Sequence, residues 1–434
     1  MNLFGGVIQI TGITFQLFIV FSVVFLGYLI GRINIKGVSL GTAGIFITAL
    51  LFGGLFGTDI HEILTFRGDD ITSQAFQIIE NIGLMLFIGS VGMIAGPGFF
   101  SNLKKNLKSY IIIGVIITLS GILSTVACFY IGLNYVEIPA EATALGITDR
   151  QYMISMVTGI MSGALTSTPA FSAAQATAAT LVSADAADTI QDAITIGHAI
   201  AYIFGVIGVV LFVQLVPKIL KADMNVEREK IVAENKVHET EARGKDNGFK
   251  IDPMGFAVFG LIVIVGIFVG MIRVPLSSQG YAGTTFSFTT TGGVLISAIV
   301  FSHFGHIGPI NFDIDHRILG VFQELGLIFF LIGAGIPGGA SFVKYFHPLY
   351  FLFGVIITLV PMIIGYIVEK MVIKLSLLDS MGAITGGMTS TPALGSLIKT
   401  AGTSDVTSSY AFTYPIALIC VVLGAQFLIL FFGA

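Results

Sequence analysis

An all-α polytopic membrane protein made of two inverted-topology repeats is the fold this sequence predicts. Three observations predict it. Apolar runs near 20 residues recur from end to end, charged residues make up only 11% of the 434-residue chain, and several short motifs occur twice in the same order. Soluble domains carry about 25% charged residues, so most of this chain has no face to offer water. Runs such as Ile13–Gly31, Ile111–Gly132 and Met254–Ile272 are long enough to cross ~30 Å of hydrocarbon as helices. The alternation of a transmembrane barrel is missing, so helices must satisfy the backbone. Cys128 and Cys420 sit inside apolar runs and read as buried free thiols. No short apolar stretch follows a basic N-terminus, so no cleavable signal peptide is expected.

Spans are expected at 13–31, 38–57, 76–98, 109–133 and 190–217 in the first half. The second half places them at 254–274, 286–305, 318–341, 348–372 and 408–432. Two more segments, 151–181 and 376–400, are interrupted by Thr-Ser-Thr-Pro and either cross fully or return as re-entrant hairpins. Basic residues discriminate. With both as hairpins and the N-terminus outside, all of the 21 Lys and Arg fall inside except Arg67, Arg150, Arg273 and Lys344. A full crossing by 151–181 would instead put the basic stretch starting at Lys218 opposite the Lys104–Lys108 cluster. The hairpin reading therefore wins, with both termini outside. Residues 218–252, mixed in charge and poor in apolar side chains, read as a solvated cytoplasmic linker.

The repeat is specific. Gly114-Val-Ile-Ile-Thr-Leu119 recurs as Gly354–Leu359, and Thr166-Ser-Thr-Pro-Ala170 recurs as Thr389–Ala393. Gly83 matches Gly326, while Thr195, Ala199 and Tyr202 match Thr407, Ala411 and Tyr414. The repeats are 1–217 and 253–434. Each contributes five crossings, an odd number, so the second copy must enter the membrane upside down. Inverted repeats with broken helices at their interface mark secondary transporters, with the binding site near the midplane. An elevator-like movement of the hairpin-bearing part against the other helices follows from that reading.

Within each break, Pro suits the start of a helix and Thr168 before Pro169 suits the N-cap. Two half-helix N-termini then face the centre, a seat for an anion. Candidate solute-binding residues are Thr166, Ser167, Thr168, Pro169, Thr389, Ser390, Thr391 and Pro392, with Gly163 and Gly387 beside them. Tyr202 and Tyr414, matched in the last span of each half, complete the set. The competing reading is a proline that merely kinks an ordinary span. Glu80 and Asn81 match Gln323 and Glu324 near the starts of two spans; Glu80, Asn81 and Glu324 are either coupling-ion groups or partners of a helix macrodipole. His198, aligned with Tyr410, is either a titrating group or a packed histidine. Asp379 before the second hairpin reads as an N-cap. His303 and His306 have no partners at metal-ligand spacing and no catalytic motif occurs, so neither a metal, a nucleic acid nor an enzymatic activity is expected.

These residues resemble the aspartate–alanine exchanger family of bacterial membrane transporters. The likeness rests on the glycine-rich Gly83–Pro97 span, on Thr-Ser-Thr-Pro-Ala-Leu at Thr389–Leu394 (with Phe171 in place of Leu in the first copy), and on Tyr414-Pro415. It implies exchange of small acidic amino acids or dicarboxylates across a bacterial inner membrane, both halves lining one site; a homodimer through the helices outside the hairpins is the expected assembly. Family members carry large cytoplasmic domains between the halves, where this chain has only 218–252. A Na⁺- or H⁺-coupled carboxylate symporter, with hairpin hydroxyls holding Na⁺, and a channel or membrane sensor are the other readings.

Overall fold

The computed structural model describes the chain apart from residues 1, 4–7, 36–37, 40–42, 64, 67–68, 243–248, 276–279, 281–284, 288, 346 and 434. Lys36, Arg67, Arg243 and Lys245, used above for orientation, lie outside the described residues, as do 40–42 and 288 within two expected spans. The helices in order are α1 (Gly12–Gly31), α2 (Ala43–Ile63), α3 (Thr72–Tyr135), α4 (Ala140–Ala144), α5 (Asp149–Ala164), α6 (Thr168–Ala178), α7 (Ala187–Ile219) and α8 (Met224–Ala242). After them come α9 (Phe256–Gly270), α10 (Thr289–Phe304), α11 (His316–Tyr345), α12 (Pro348–Val368), α13 (Leu377–Gly387), α14 (Thr391–Ala401) and α15 (Val406–Phe432). Two-residue antiparallel hairpins, such as Asn34–Ile35 with Val38–Ser39 and His306–Ile307 with Ile310–Asn311, occupy connections between helices.

Seven helical segments among the described residues are long and apolar enough to cross a membrane, two of them within α3. Three expected spans appear as shorter apolar helices, Gly44–Gly57, Phe256–Gly270 and Thr290–Phe304. At about 1.5 Å per residue a 15-residue helix such as α9 reaches roughly 22 Å. Its start is fixed by Gly255, whose φ of +76° no helix interior accommodates. The expected spans 76–98 and 109–133 correspond to the two apolar stretches Gln74–Ile94 and Leu107–Tyr135, both within α3, with Pro97 between them. Beyond Gly98 the connecting stretch Phe99–Lys108 holds neither Gly nor Pro, so nothing in it interrupts helical hydrogen bonding.

The chain divides into two compact units, each drawing on both sequence halves. One comprises Met1–Phe87 and Phe322–Phe346. Here backbones touch. A Cβ on Gly83 would stand 2.6 Å from the Gly326 carbonyl oxygen, and one on Gly326 would stand 2.7 Å from that of Gly83. α3 and α11 thus cross at the matched glycines, the close approach that small residues allow between membrane helices. Between α2 and α11, Gly53 packs on the Ile336 backbone and Gly339 on that of Leu50.

The other unit comprises Ile88–Val321 and His347–Ala434 and holds both interrupted segments. α5 and α7 run side by side in the same direction, Gly159 against Ile194 and Gly163 against His198. α6 runs back along α7, with Phe171 against His198 and Gln175 Nε2 donating to Thr195 Oγ1. α13 accompanies α15 likewise, Gly382 against Val406 and Gly386 against Tyr410. α14 then turns back, and its residues Thr391 and Ala401 bracket the return to the start of α15. The repeated Gly-Val-Ile-Ile-Thr-Leu stretch acquires a physical meaning here. Gly114 packs on Thr413 and Ile416 of α15, whereas Gly354 packs on Ala201 of α7. Each copy of the motif supports the last helix of the other half.

Candidate functional site

The two Thr-Ser-Thr-Pro stretches adopt the same backbone. α5 ends at Leu165, and Thr166 N–H bonds Gly163 O at 2.9 Å while Ser167 N–H bonds Ser162 O at 2.8 Å. α13 ends at Met388, with Thr389 N–H on Gly386 O at 3.0 Å and Ser390 N–H on Thr385 O at 3.1 Å. This paired pattern is a Schellman motif, which requires a left-handed residue after the helix. Thr166 supplies it with φ +50° and Thr389 with φ +49°. A β-branched residue there costs roughly 1–2 kcal/mol, and glycine would avoid that cost.

The hydroxyls explain why threonine stands there instead. Thr389 Oγ1 donates to Leu165 O at 2.6 Å, and Thr166 Oγ1 donates to Thr389 O at 3.2 Å. Each left-handed threonine thus satisfies a carbonyl of the opposite tip. A net hydrogen bond contributes about 1 kcal/mol, enough to offset the backbone strain. The tips of the two hairpins are tied to each other through these bonds.

The residue after each left-handed threonine starts the next half-helix. Ser167 is the N-cap of α6, its Oγ accepting from Ala170 N at 3.4 Å. This corrects the assignment of Thr168, which is the first helical residue; a Schellman motif needs two residues beyond Leu165, leaving Ser167 at the boundary. Ser390 is the corresponding N-cap of α14, yet makes no capping bond. Its Oγ is fully buried with no hydrogen-bond partner among the described residues. Asp379 is not an N-cap either: Ser376 caps α13, and Asp379 accepts from Ser376 Oγ and Ser409 Oγ, both at 2.6 Å.

Access differs between the tips. Thr168 is exposed and Pro169 half-buried, whereas Thr389, Ser390, Thr391 and Pro392 are all buried. Gly163 lies where α5 meets the backbone of α7; its counterpart in the second copy is Gly386 on Tyr410, while Gly387 faces Ile117.

Behind the tips run two aromatic ladders. His198 stacks on Tyr202 with ring centroids 5.4 Å apart and lies 4.6 Å from Phe171. Tyr410 stacks on Tyr414 at the same 5.4 Å, and its hydroxyl lies 3.4 Å from Thr391 Oγ1. Tyr410 was missed as a site residue, although its place four residues before Tyr414 puts both on one helix face. His198 Nδ1 is 2.8 Å from Ser162 Oγ, which itself donates to Gly159 O at 2.7 Å. The Ser162 hydroxyl thus sits between the Gly159 carbonyl and the His198 ring, and which of the two it donates to goes with the His198 tautomer. Glu80, Asn81 and Glu324 belong to the other unit. There Asn81 Nδ2 donates back to Gln77 O, and Glu324 accepts from Tyr28 at 2.8 Å.

The family profile described as a predicted permease membrane region, that of the aspartate–alanine exchangers, matches residues 19–218 and again 258–430. The chain belongs to this family. An uncharacterized transporter of Bacteroides fragilis is 28% identical, with 94% of this chain and 97% of that protein covered. Another, from Desulfotalea psychrophila, is 25% identical over 95% and 96%. A putative transport protein of Actinobacillus pleuropneumoniae is 33% identical, over 47% of this chain and 32% of its own length. The Bacteroides alignment spans 561 residues against 434 here, so that relative has residues with no counterpart in this chain. As a member of the aspartate–alanine exchanger family, the protein is a multi-pass membrane transporter and not an enzyme; its business is a solute and a bilayer.

Proposed function

We propose that the protein exchanges small carboxylate-bearing solutes, acidic amino acids or dicarboxylates, by alternating access around the two hairpin tips. The observation that carries this is the tip-to-tip bonding of Thr166 and Thr389, which sets the starts of α6 and α14 beside each other. Each start presents first-turn N–H groups and a partial positive charge of about half a unit. The fully buried, unpartnered Ser390 Oγ supports a polar occupant, since an orphaned buried hydroxyl costs roughly 1–3 kcal/mol. Thr168, Thr391, Tyr202 and Tyr414 complete the set.

Opposite insertion of the repeats is part of the proposal. It is supported by the way the hairpins approach α7. α5 accompanies α7 as far as Gly205, whereas α14 reaches α7 beyond it, Ser396 Oγ accepting from Gln214 Nε2 at 2.9 Å. The matched stretches 19–218 and 258–430 support repeats at 1–217 and 253–434 around the 218–252 linker. The positive-inside bias supports a bacterial inner-membrane protein with that linker cytoplasmic, and we read the working form as a homodimeric elevator.

The test is counterflow in proteoliposomes loaded with aspartate, glutamate, succinate or malate. One of these should exchange without a sodium gradient, and Thr168→Val or Ser390→Ala should reduce exchange at least about tenfold, equivalent to ~1.4 kcal/mol. No flux for any of the four would remove the carboxylate assignment; flux needing Na⁺ would favour a symporter.

A further inference from the structure

Outside the tips, one carboxylate has no place in the account above. Glu369 is fully buried, and neither of its carboxylate oxygens has a hydrogen-bond partner among the described residues. It opens a π-helical turn, Glu369–Ile373, in which Lys374 takes a left-handed φ of 62° and its N–H bonds Glu369 O at 2.6 Å. That turn joins α12 to α13, the root of the second hairpin. π-turns inside helices concentrate at functional sites.

Its polar neighbours on α13 are Ser380 and Asp379, and Asp379 acts on it electrostatically. The two carboxylates are built for different charge states. Asp379 accepts hydroxyl hydrogens from Ser376 and Ser409 and sits in the first turn of α13, an environment made for an anion. Glu369 has only the Ser380 hydroxyl near it, and neither carboxylate oxygen has a hydrogen bond of normal geometry among the described residues. An ionised carboxylate so placed, beside a second one, is among the costliest arrangements in a protein interior.

Among the described residues no cation is seen to relieve it. Lys370 is exposed and lies over the Tyr366 ring at 5.9 Å, and Lys374 is exposed as well. From α8, Arg228 Nε donates to Ala401 O at 2.8 Å, while Glu227 accepts from Leu377 N and from Lys230. These charges are engaged elsewhere.

We propose that Glu369, beside Asp379, is a proton-binding site at the root of the second hairpin, with the one exchangeable proton carried by the Glu369 carboxyl. Losing that proton leaves two negative charges across the α12–α13 joint, so proton occupancy and hairpin position are linked. The site is distinct from the solute seat, and its test does not need a known solute.

The full-length protein in nanodiscs, titrated with pH by infrared difference spectroscopy, decides. The wild type should show a protonated-carboxyl band near neutral pH that titrates away on raising pH. Glu369→Gln should lose that band and Asp379→Asn should shift its titration. Glu369→Gln mimics the neutral form, so its melting temperature at acidic pH should equal the wild type's, separating loss of the site from misfolding. A band unchanged in Glu369→Gln overturns the proposal. So does a band abolished when NaCl replaces choline chloride at constant pH, which would make this a sodium site.

Discussion

Thr166 and Thr389 show how a residue that is poor for its own backbone serves the molecule. Left-handed threonine is unfavourable locally, but Thr389 Oγ1 makes a buried 2.6 Å bond to a carbonyl 224 positions away in sequence. Substitutions can separate the two terms. Thr389→Gly loses the bond but relieves the strain; Thr389→Val loses the bond and keeps the strain. Val should therefore destabilise by about 1–2 kcal/mol more than Gly, read as a lower melting temperature in detergent. Equal effects would mean that the backbone strain inferred from φ is not felt. At this scale the sequence was partly legible. Thr-Ser-Thr-Pro announces a broken helix because Pro and hydroxyl residues have fixed roles at helix ends. Which residue caps, and why the left-handed position is not glycine, depended on an acceptor from the other half. No local signal encodes that acceptor, nor the Ser162 hydroxyl that meets the His198 ring.

Elements were legible where hydropathy alone decides them. The long spans follow from apolar length, because a helix is the only open-ended element that satisfies its backbone in lipid. The role of α8 was not, because charge-rich stretches look alike whether solvated or engaged. α8 is more than a solvated linker. Adjacent residues reach both ends of the second hairpin: Glu227 accepts from Leu377 N at 3.3 Å at the start of α13, and Arg228 donates to Ala401 O at the end of α14. Each charge has the sign that its helix end favours, and Ile231 is buried beneath them. Removing the cation by Arg228→Ala should lower stability by roughly 0.5–2 kcal/mol, since it leaves a terminal carbonyl without its donor. Arg228→Lys should recover only part of this, because an ammonium is a point charge where the guanidinium aims a fixed N–H. Limited proteolysis within 400–405 should rise in Arg228→Ala if the end of α14 loosens, and unchanged cleavage would show that α8 is dispensable.

The whole molecule is asymmetric although its repeats are not. Thr168 and Thr391 occupy the same position, the first residue of a half-helix after the same capping turn, yet one is exposed and the other buried. Under the proposed alternating access this is the appearance of a state open to one side, and a channel open throughout would expose both. Cysteine labelling distinguishes the two, and the repeat supplies its own control. A thiol at either position meets the same helix-end field, which governs thiolate reactivity, so any difference in labelling reports access. With Cys128 and Cys420 replaced, Thr168→Cys should react with a hydrophilic maleimide at least about tenfold faster than Thr391→Cys in the resting protein. An exchangeable solute on both sides of the membrane should lower that ratio, because turnover carries the second tip through its own open state. Equal rates at rest would show that the asymmetry does not survive in the bilayer, and alternating access between the tips would lose its structural basis.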